Sequence, residues 1–305
     1  MIDLKSVSNP QPSANLEGFL EAAPARLATE GGAGTASAEE SRSLKHLAAK
    51  GRGEPLRRRS ALGGLESILG PTDDRVRILD TDLTPWRMVC ALRMRGPSGS
   101  AVGTGWFVGP RTLLTAGHCV HSTQFFGSGG WTTEIEVSPG RNGTEFPFKT
   151  VKSRNFSSVD RWVKSEDPDF DIGCIHLSEP IGNEVGWFAV AALAPEELQG
   201  YLVNVSGYPG DRGAGTEQYH QKNRVLQVTD RRVFYDVDTF GGQSGAPVWI
   251  HETDGAPPLA VGIHAYGTGG SPTGLEANSA PRIIPEVLEQ IRGWVEADGG
   301  WPTKP

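Results

Sequence analysis

The amino-acid sequence predicts an all-β fold that ends in a single helix and is preceded by a poorly structured N-terminal segment. The chain of 305 residues contains 40 glycines and 22 prolines but only 21% charged residues, a composition typical of turn-rich β-proteins. Short apolar runs alternate with turn sequences from about residue 80 onwards. A secure helical pattern lies near the C-terminus, at Pro285–Glu296, where five apolar positions share one face.

Ten short runs, rich in apolar and β-branched residues, are predicted to form strands. They lie at Met88–Leu92, Thr104–Val108, Thr112–Thr115, Glu134–Val137, Ile172–Leu177, Leu202–Ser206, Arg224–Val228, Val233–Val237, Ala246–Ile250 and Ala260–His264. The turns between them contain sequences such as Pro-Gly-Arg-Asn-Gly and Tyr-Pro-Gly-Asp. Many short strands joined by turns indicate a β-sandwich or β-barrels.

Residues 1–66 differ in composition from the remainder of the chain. They contain Gly, Ala, Thr and Ser at residues 31–38, followed by a charged, alanine-rich stretch, and their apolar content is too low to bury a core. We interpret this segment as a pro-segment or flexible extension, and residues 67–305 as the folded domain. The first residues contain no apolar core of a secretory signal, so a cytoplasmic or non-classically exported protein is expected.

Charge and hydropathy restrict the partners of the chain, and its cysteine content restricts its disulfides. The formal net charge of −7 argues against a general nucleic-acid-binding protein, because such a protein needs a basic face for phosphates. No stretch is apolar enough to span a bilayer. The three cysteines, Cys90, Cys119 and Cys174, allow at most one internal disulfide. We expect a monomer without nucleic-acid or membrane partners and without a metal or other cofactor.

Three fragments place a histidine, an aspartate and a serine beside predicted strands and glycine turns. His118 follows a strand, Asp171 directly precedes one, and Ser244 lies in a Gly-Gly-Gln-Ser-Gly turn. Each alone has an ordinary structural explanation: a buried histidine, a strand-capping aspartate or a surface serine. Asp167 and Asp169 are competing carboxylates, and Asp171 is preferred because it adjoins the apolar strand and can be buried beside an imidazole.

Together these residues meet the requirements of nucleophilic amide hydrolysis. A serine hydroxyl needs a base within hydrogen-bond distance, and histidine has its ordinary pKa near neutral pH. The imidazole needs a carboxylate that fixes its tautomer, and the tetrahedral intermediate needs fixed N–H donors. The neighbouring glycines can direct the N–H groups of Gly242 and Ser244 toward one point. The chain order His118, Asp171, Ser244 is that of chymotrypsin-type proteases and predicts a catalytic triad between two barrels.

Seven stretches after residue 66 carry a family resemblance. They are Ser67–Arg75, Gly105–Gly109, Thr115–Cys119, Val137–Thr144, Ser178–Asn183, Ser206–Asp211 and Asp238–Gly245. In these stretches the chain resembles the glutamyl endopeptidases, a bacterial branch of the trypsin-like serine proteases. The resemblance implies a serine endopeptidase that acts on proteins or peptides. It also implies two six-stranded barrels, at about residues 80–180 and 181–284, and a C-terminal helix at about residues 285–296.

The resemblance further implies a preference for glutamate or aspartate before the scissile bond. In this family a histidine on the strand after the nucleophile, and a threonine five residues before the serine, help to hold the substrate carboxylate. The corresponding residues here are His264 and Thr239. Asp238 stands six residues before Ser244, where trypsin has the aspartate that binds Lys or Arg. Lys or Arg specificity through Asp238 is therefore an alternative, and a non-catalytic binding module on this fold is another.

A precursor processed between Glu66 and Ser67 also follows from the resemblance. The stretch that begins at Ser67 resembles the mature start of these enzymes, and Glu66 is the residue type that they recognise. The family's usual cysteine partner for Cys119 would lie near Gly103, where no cysteine is present, so Cys119 is free or paired with Cys90.

One further position departs from the animal enzymes. Gln243 replaces the aspartate that receives the new N-terminus in animal trypsins. Activation through that salt bridge is therefore not available to this chain.

Overall fold

The computed structural model describes residues 4–10, 68–251, 256–268 and 275–302, which form two curled β-sheets and a C-terminal helix. Each of the ten predicted strands overlaps a strand of the structure, and the all-β fold class is confirmed. Each sheet contains eight strands among the described residues, two more than the resemblance implies for each barrel.

The first sheet contains most of the strands of the N-terminal half. They are β1 (Ser6–Ser8), β3 (Val89–Gly96), β4 (Gly99–Phe107), β5 (Thr112–Thr115), β6 (Glu134–Pro139), β7 (Val151–Ser153), β8 (Asn155–Val159) and β9 (Gly173–His176). Their spatial order is β1-β8-β9-β5-β4-β3-β6-β7, with antiparallel neighbours throughout. Apolar side chains from these strands, such as Leu92, Phe107 and Phe156, are fully or almost fully buried inside the curled sheet.

The second sheet is built mostly from the C-terminal half. Its strands are β2 (Val76–Arg77), β10 (Ala189–Val190), β11 (Leu202–Gly207), β12 (Tyr219–Val228), β13 (Arg232–Tyr235), β14 (Pro247–Ile250), β15 (Leu259–Ile263) and β16 (Asn278–Pro281). Their order is β10-β15-β14-β11-β12-β13-β16, and β2 pairs with β12. The strand β2 therefore joins the beginning of the domain to the C-terminal sheet.

Short helices connect the strands, and one longer helix follows them. They are α1 (Gly117–Val120), α2 (Thr123–Phe126), α3 (Asp160–Ser165), α4 (Gly182–Val185), α5 (Pro195–Leu198) and α6 (Pro285–Ala297). Helix α6 buries the five apolar residues of its predicted face, which are Val287, Leu288, Ile291, Trp294 and Val295. In the described ranges, no helix is long and apolar enough to cross a membrane.

Strand β1 shows that part of the N-terminal segment is folded onto the domain. The composition predicts a flexible extension over residues 1–66, whereas Ser6–Ser8 pair with β8 at the end of the first sheet. Asn9 donates its N–H to Phe156 O at 3.0 Å and accepts the N–H of Phe156 on Oδ1 at 2.9 Å. Backbone groups can pair with an open sheet edge without apolar side chains, so a low apolar content does not prevent this strand.

The predicted processing site cannot be placed in this fold. Glu66 and Ser67 lie outside the described residues. The described domain resumes at Ile68, the residue that follows Ser67.

Candidate active site

The pairing of β5 with β9 brings His118 next to Asp171. The two strands are antiparallel, and Thr115 at the end of β5 pairs with Gly173 at the start of β9. The chain leaves β5 toward His118 in α1 and enters β9 from Asp171. Because the end of one antiparallel strand lies beside the start of its neighbour, both side chains are at the same edge of the sheet.

Asp171 contacts His118 through two hydrogen bonds. Its Oδ1 accepts the main-chain N–H of His118 at 2.8 Å, and its Oδ2 lies 2.7 Å from the ring Nδ1. Asp171 is fully buried, and His118 is almost fully buried. Burial opposes a charged imidazole and is the largest single effect on the ring. The negative charge of Asp171, its hydrogen bond to the ring and the neighbouring Cys119 together outweigh burial, and they raise the pKa of His118 well above its usual value. With Nδ1–H donated to the carboxylate, the neutral ring keeps Nε2 as a proton acceptor.

The two competing aspartates have other positions. Asp167 Oδ1 accepts the N–H of Asp169 at 3.1 Å and caps the short 3₁₀ turn that precedes Asp171. Asp169 is partly buried, and burial raises its pKa. Of the three carboxylates, the structure brings Asp171 into hydrogen-bond contact with His118.

Ser244 lies in the loop between β13 and β14, and the first sheet contacts this loop directly. Thr104 of β4 donates its N–H to Ser244 O at 2.9 Å and its Oγ1–H to Gly242 O at 2.8 Å. Gly242 has a φ of +108°, and a Cβ at this position would lie 2.6 Å from Tyr208 O. A glycine is therefore required here, both for the backbone conformation and for the close approach of the neighbouring chain.

Hydrogen bonds to two carbonyl groups orient the N–H groups of Gly242 and Ser244. Gly241 O accepts the N–H of Gly210 at 2.6 Å, and Gln243 O accepts the N–H of Ala246 at 2.9 Å. In a trans peptide the C=O and N–H point in opposite directions. The N–H of Gly242 therefore points away from Gly210, and the N–H of Ser244 points away from Ala246.

Thr239 is a buried hydroxyl residue in the same loop. It has no exposed surface, and its Oγ1 makes no hydrogen bond within the part of the chain that the structure describes. A buried hydroxyl without an acceptor or donor is costly, so a polar ligand at this position would be favourable.

His264 directly follows β15 and is also fully buried. Its Nδ1 lies 2.6 Å from the hydroxyl of Tyr235, and its carbonyl accepts the N–H of Gly245 at 2.7 Å. The second contact links His264 to the residue that follows Ser244. Burial, together with nearby positive charge, lowers the pKa of His264 to about 3, so its imidazole is neutral at physiological pH.

Asp238 is engaged by main-chain groups from the start of the domain. It is buried, and its two carboxylate oxygens accept the N–H groups of Leu69 at 2.7 Å and Asp74 at 2.9 Å. Burial raises the pKa of Asp238, although both of these bonds favour its charged form. The carboxylate thus anchors the segment that begins after the predicted processing site.

The sequence patterns did not single out several residues that support this site. Thr104 holds the Ser244 loop, and Tyr235 contacts His264. Arg75 contacts both Asp211 and Gln243. Arg75 and Asp211 stand in the stretches Ser67–Arg75 and Ser206–Asp211 that carry the family resemblance. Membership of these stretches was the signal that could have drawn attention to Arg75 and Asp211. It did not indicate that the two stretches contact each other.

The three cysteines Cys90, Cys119 and Cys174 are free and buried. A Cβ at Gly103 would lie 3.2 Å from Cys119 Sγ, so position 103 faces Cys119, as the resemblance implies. The alternative pairing of Cys119 with Cys90 is not formed. Burial raises the pKa of the Cys90 and Cys174 thiols well above their usual value, which keeps them protonated.

Comparison with known proteins agrees with the class that this fold and site define, a trypsin-like serine endopeptidase. Residues 103–256 match the family described as a trypsin-like peptidase domain. The chain is 37% identical over 235 residues to the glutamyl endopeptidase of Bacillus licheniformis, covering 75% of this chain and 69% of that protein. The chain belongs to the trypsin-like peptidase family, in the branch of the bacterial glutamyl endopeptidases.

The chain is also similar to two further proteins. A Bacillus subtilis (strain 168) protein named extracellular metalloprotease is 34% identical over 230 residues, with the same coverage of 75% and 69%. The described residues of the present chain contain no group of three His, Cys, Asp or Glu that could hold a metal ion. The solved structure of a Glu endopeptidase in complex with MPD has a TM-score of 0.65 at 24% identity, covering 75% of this chain and 99% of that one. At 24% identity, the match to this solved structure shows a similar fold and nothing further.

Proposed function

We propose that the chain hydrolyses peptide bonds with His118, Asp171 and Ser244 as a catalytic triad. The observation that carries this proposal is the two-point contact of Asp171 with the main chain and ring of His118. This contact leaves Nε2 as the acceptor for the proton of Ser244 Oγ during attack on the substrate carbonyl. The protonated ring then gives this proton to the leaving amine, and water hydrolyses the acyl-enzyme in a second, equivalent cycle.

The N–H groups of Gly242 and Ser244 are proposed as the oxyanion-binding donors. The hydrogen bonds to Gly241 O and Gln243 O fix the planes of the two peptide groups that carry them. Donors that are fixed before the reaction need no reorganisation when negative charge develops on the substrate oxygen. Removal of one such donor typically costs about 10²–10³-fold in turnover.

Thr239 and His264 are proposed to select glutamate, and also aspartate, before the scissile bond. If the Tyr235 hydroxyl donates to Nδ1 of the neutral His264 ring, the ring proton resides on Nε2, which is then a donor for a substrate carboxylate. The Thr239 hydroxyl supplies a second donor that lacks a partner in the described structure. A hydrogen bond to a charged group contributes about 1.5–3 kcal/mol, so each of these donors is sufficient for a measurable preference.

Specificity for Lys or Arg through Asp238 is less well supported. Both oxygens of Asp238 already accept N–H groups, those of Leu69 and Asp74. A cationic substrate side chain would have to share or displace these bonds. The contacts of Asp238 favour a structural role over recognition of a basic side chain.

Peptides that differ only in the residue before the scissile bond test the specificity. The informative set contains Glu, Gln, Asp, Lys and Leu, because Glu and Gln have nearly the same shape and differ in charge. We expect the Glu peptide to have the highest kcat/KM, with a preference over Gln of about tenfold or more. Preference for Lys would contradict the pocket assignment and restore Asp238 as the determinant. A folded chain that cleaves none of the peptides would support the binding-module alternative.

Processing between Glu66 and Ser67 remains part of this proposal. Ser67 stands two residues before Leu69, whose N–H is bound by Asp238. A cut at this bond would therefore release an amine close to an anchored segment of the domain. Mass spectrometry of the active protein and of the Glu66→Gln variant measures whether the chain is cut between Glu66 and Ser67. We expect the cut in the wild type and its loss in Glu66→Gln. Native mass measurement of the same samples tests the expected monomer, and a fully active intact chain would show that the cut is unnecessary.

A further inference from the structure

Arg75 is a buried cation whose guanidinium is completely hydrogen-bonded. Its side chain has no exposed surface. Nε and Nη2 donate to Asp73 at 2.9 and 2.8 Å, and Nη1 and Nη2 donate to Asp211 at 3.1 and 2.6 Å. The fifth N–H, on Nη1, donates to Gln243 Oε1 at 3.2 Å. All five donors of the guanidinium thus have acceptors, and the planar group is held in one orientation.

Gln243 links this guanidinium to the loop that carries Ser244. Its side chain is buried, and its Oε1 also accepts the N–H of Phe240 at 3.1 Å. Its main-chain N–H donates to Phe240 O at 3.0 Å. One oxygen atom is therefore shared between Arg75 and the first residue of the turn. Movement of Gln243 would move the peptide group that carries the N–H of Ser244.

We propose that Arg75 is a positioning residue that acts through Gln243 on the oxyanion-binding N–H group of Ser244. The inference rests on the proposed function. It gives a physical reason for glutamine at position 243, because the amide oxygen accepts a hydrogen bond from a cation already buried in the domain. Animal trypsins instead use an aspartate that pairs with a newly formed N-terminus. In the present chain, the residue at this position is instead held by the guanidinium of Arg75.

A lysine at this position would keep the charge but not the geometry. An ammonium group has three donors on one nitrogen, whereas the guanidinium uses five donors on three nitrogens. Arg75→Lys should therefore still neutralise Asp73 and Asp211, so the chain should fold. The contact with Gln243 is the weakest of the five by distance, at 3.2 Å, and is the one expected to be lost.

The experiment measures kcat and KM of the full chain per active site, titrated with an irreversible serine-directed inhibitor. We expect Arg75→Lys to lower kcat about ten- to hundredfold, less than the loss of a complete oxyanion donor, while KM changes by less than about twofold. Gln243→Ala should have a similar effect, and the double variant should be no worse than the more impaired single variant. Arg77→Lys is the matched control, because Arg77 is partly exposed and pairs with Glu217. We expect it to keep the wild-type kcat.

The possible outcomes separate this inference from the proposed function. An active wild type together with an Arg75→Lys variant of unchanged kcat per site would overturn the role of Arg75. Additive effects of Arg75→Lys and Gln243→Ala would show that Arg75 does not act through Gln243. If Arg75→Lys does not fold, the kcat of Gln243→Ala tests the inference. A wild-type kcat in Gln243→Ala would overturn the inference. A folded wild type that neither cleaves peptides nor reacts with the inhibitor would instead refute the proposed triad.

Discussion

Replacing Asp171 by Asn should change the tautomer of His118. The buried main-chain N–H of His118 requires the acceptor that Asp171 Oδ1 now provides at 2.8 Å. Asparagine has one oxygen and one NH₂ group, so its oxygen should face this N–H and its NH₂ should face Nδ1. The ring then accepts on Nδ1 and carries its proton on Nε2. In that state it cannot accept the proton of Ser244.

The expected loss follows from this change of tautomer. An aspartate-to-asparagine change that leaves a triad's geometry intact lowers kcat about 10⁴-fold, which corresponds to about 5 kcal/mol in activation free energy. The pH dependence should change as well, since only the unprotonated ring acts as a base. Asp171 raises the pKa of His118, so wild-type kcat/KM should rise with pH through a pKa above the usual value for histidine. In Asp171→Asn the acid limb should move to lower pH.

The assay is kcat/KM for a Glu-containing peptide across the pH range, with circular dichroism to verify folding. Asp169→Asn is the matched control, because the same change is made two residues away, where the carboxylate does not contact His118. We expect the control to retain activity within about threefold. A kcat of Asp171→Asn within tenfold of wild type, or an unshifted acid limb, would refute the reasoning.

Three further variants test other parts of the structure. Ser244→Ala should lower peptide turnover about a millionfold without loss of the fold, and comparable cleavage by the pure variant would contradict the nucleophile assignment. His264→Ala should reduce the preference for Glu over Gln peptides about ten- to hundredfold, measured as the ratio of the two kcat/KM values. Asn9→Ala removes the acceptor for the N–H of Phe156 and should lower the free energy of unfolding by about 1–3 kcal/mol in urea titrations. An unchanged urea midpoint would show that this contact, which follows directly after β1, does not stabilise the domain.

The strands and the His118, Asp171 and Ser244 fragments could be predicted because their signals are local. Each strand is a short apolar run between turn residues, and α6 has its five buried positions on one face. The histidine and aspartate adjoin strand ends, and the serine stands in a glycine turn. A local sequence pattern is sufficient to predict strands, strand ends and turns, and the positions of these three side chains follow from those backbone elements.

The support for the site could not be predicted in the same way. Arg75 contacts Asp211 and Gln243, which are 136 and 168 residues away in the chain. A buried arginine in a polar stretch has the same local pattern as an exposed one, because only its distant partners decide whether its charge can be buried. Strand β1 is similar, since its pairing depends on the open edge of β8 rather than on its own side chains.

The position of β1 also has a consequence for self-association. Four of the five residues of β8 are buried, and without β1 the outer backbone groups of this strand would form an unprotected edge. Such an edge can pair with strands of other molecules, whereas β1 covers it with a three-residue strand flanked by the exposed residues Lys5 and Pro10. A cut between Glu66 and Ser67 would break the covalent link to β1 but none of its contacts with β8. Recombinant chains that begin at Ser67 would lack this cover and should aggregate more readily than the full chain.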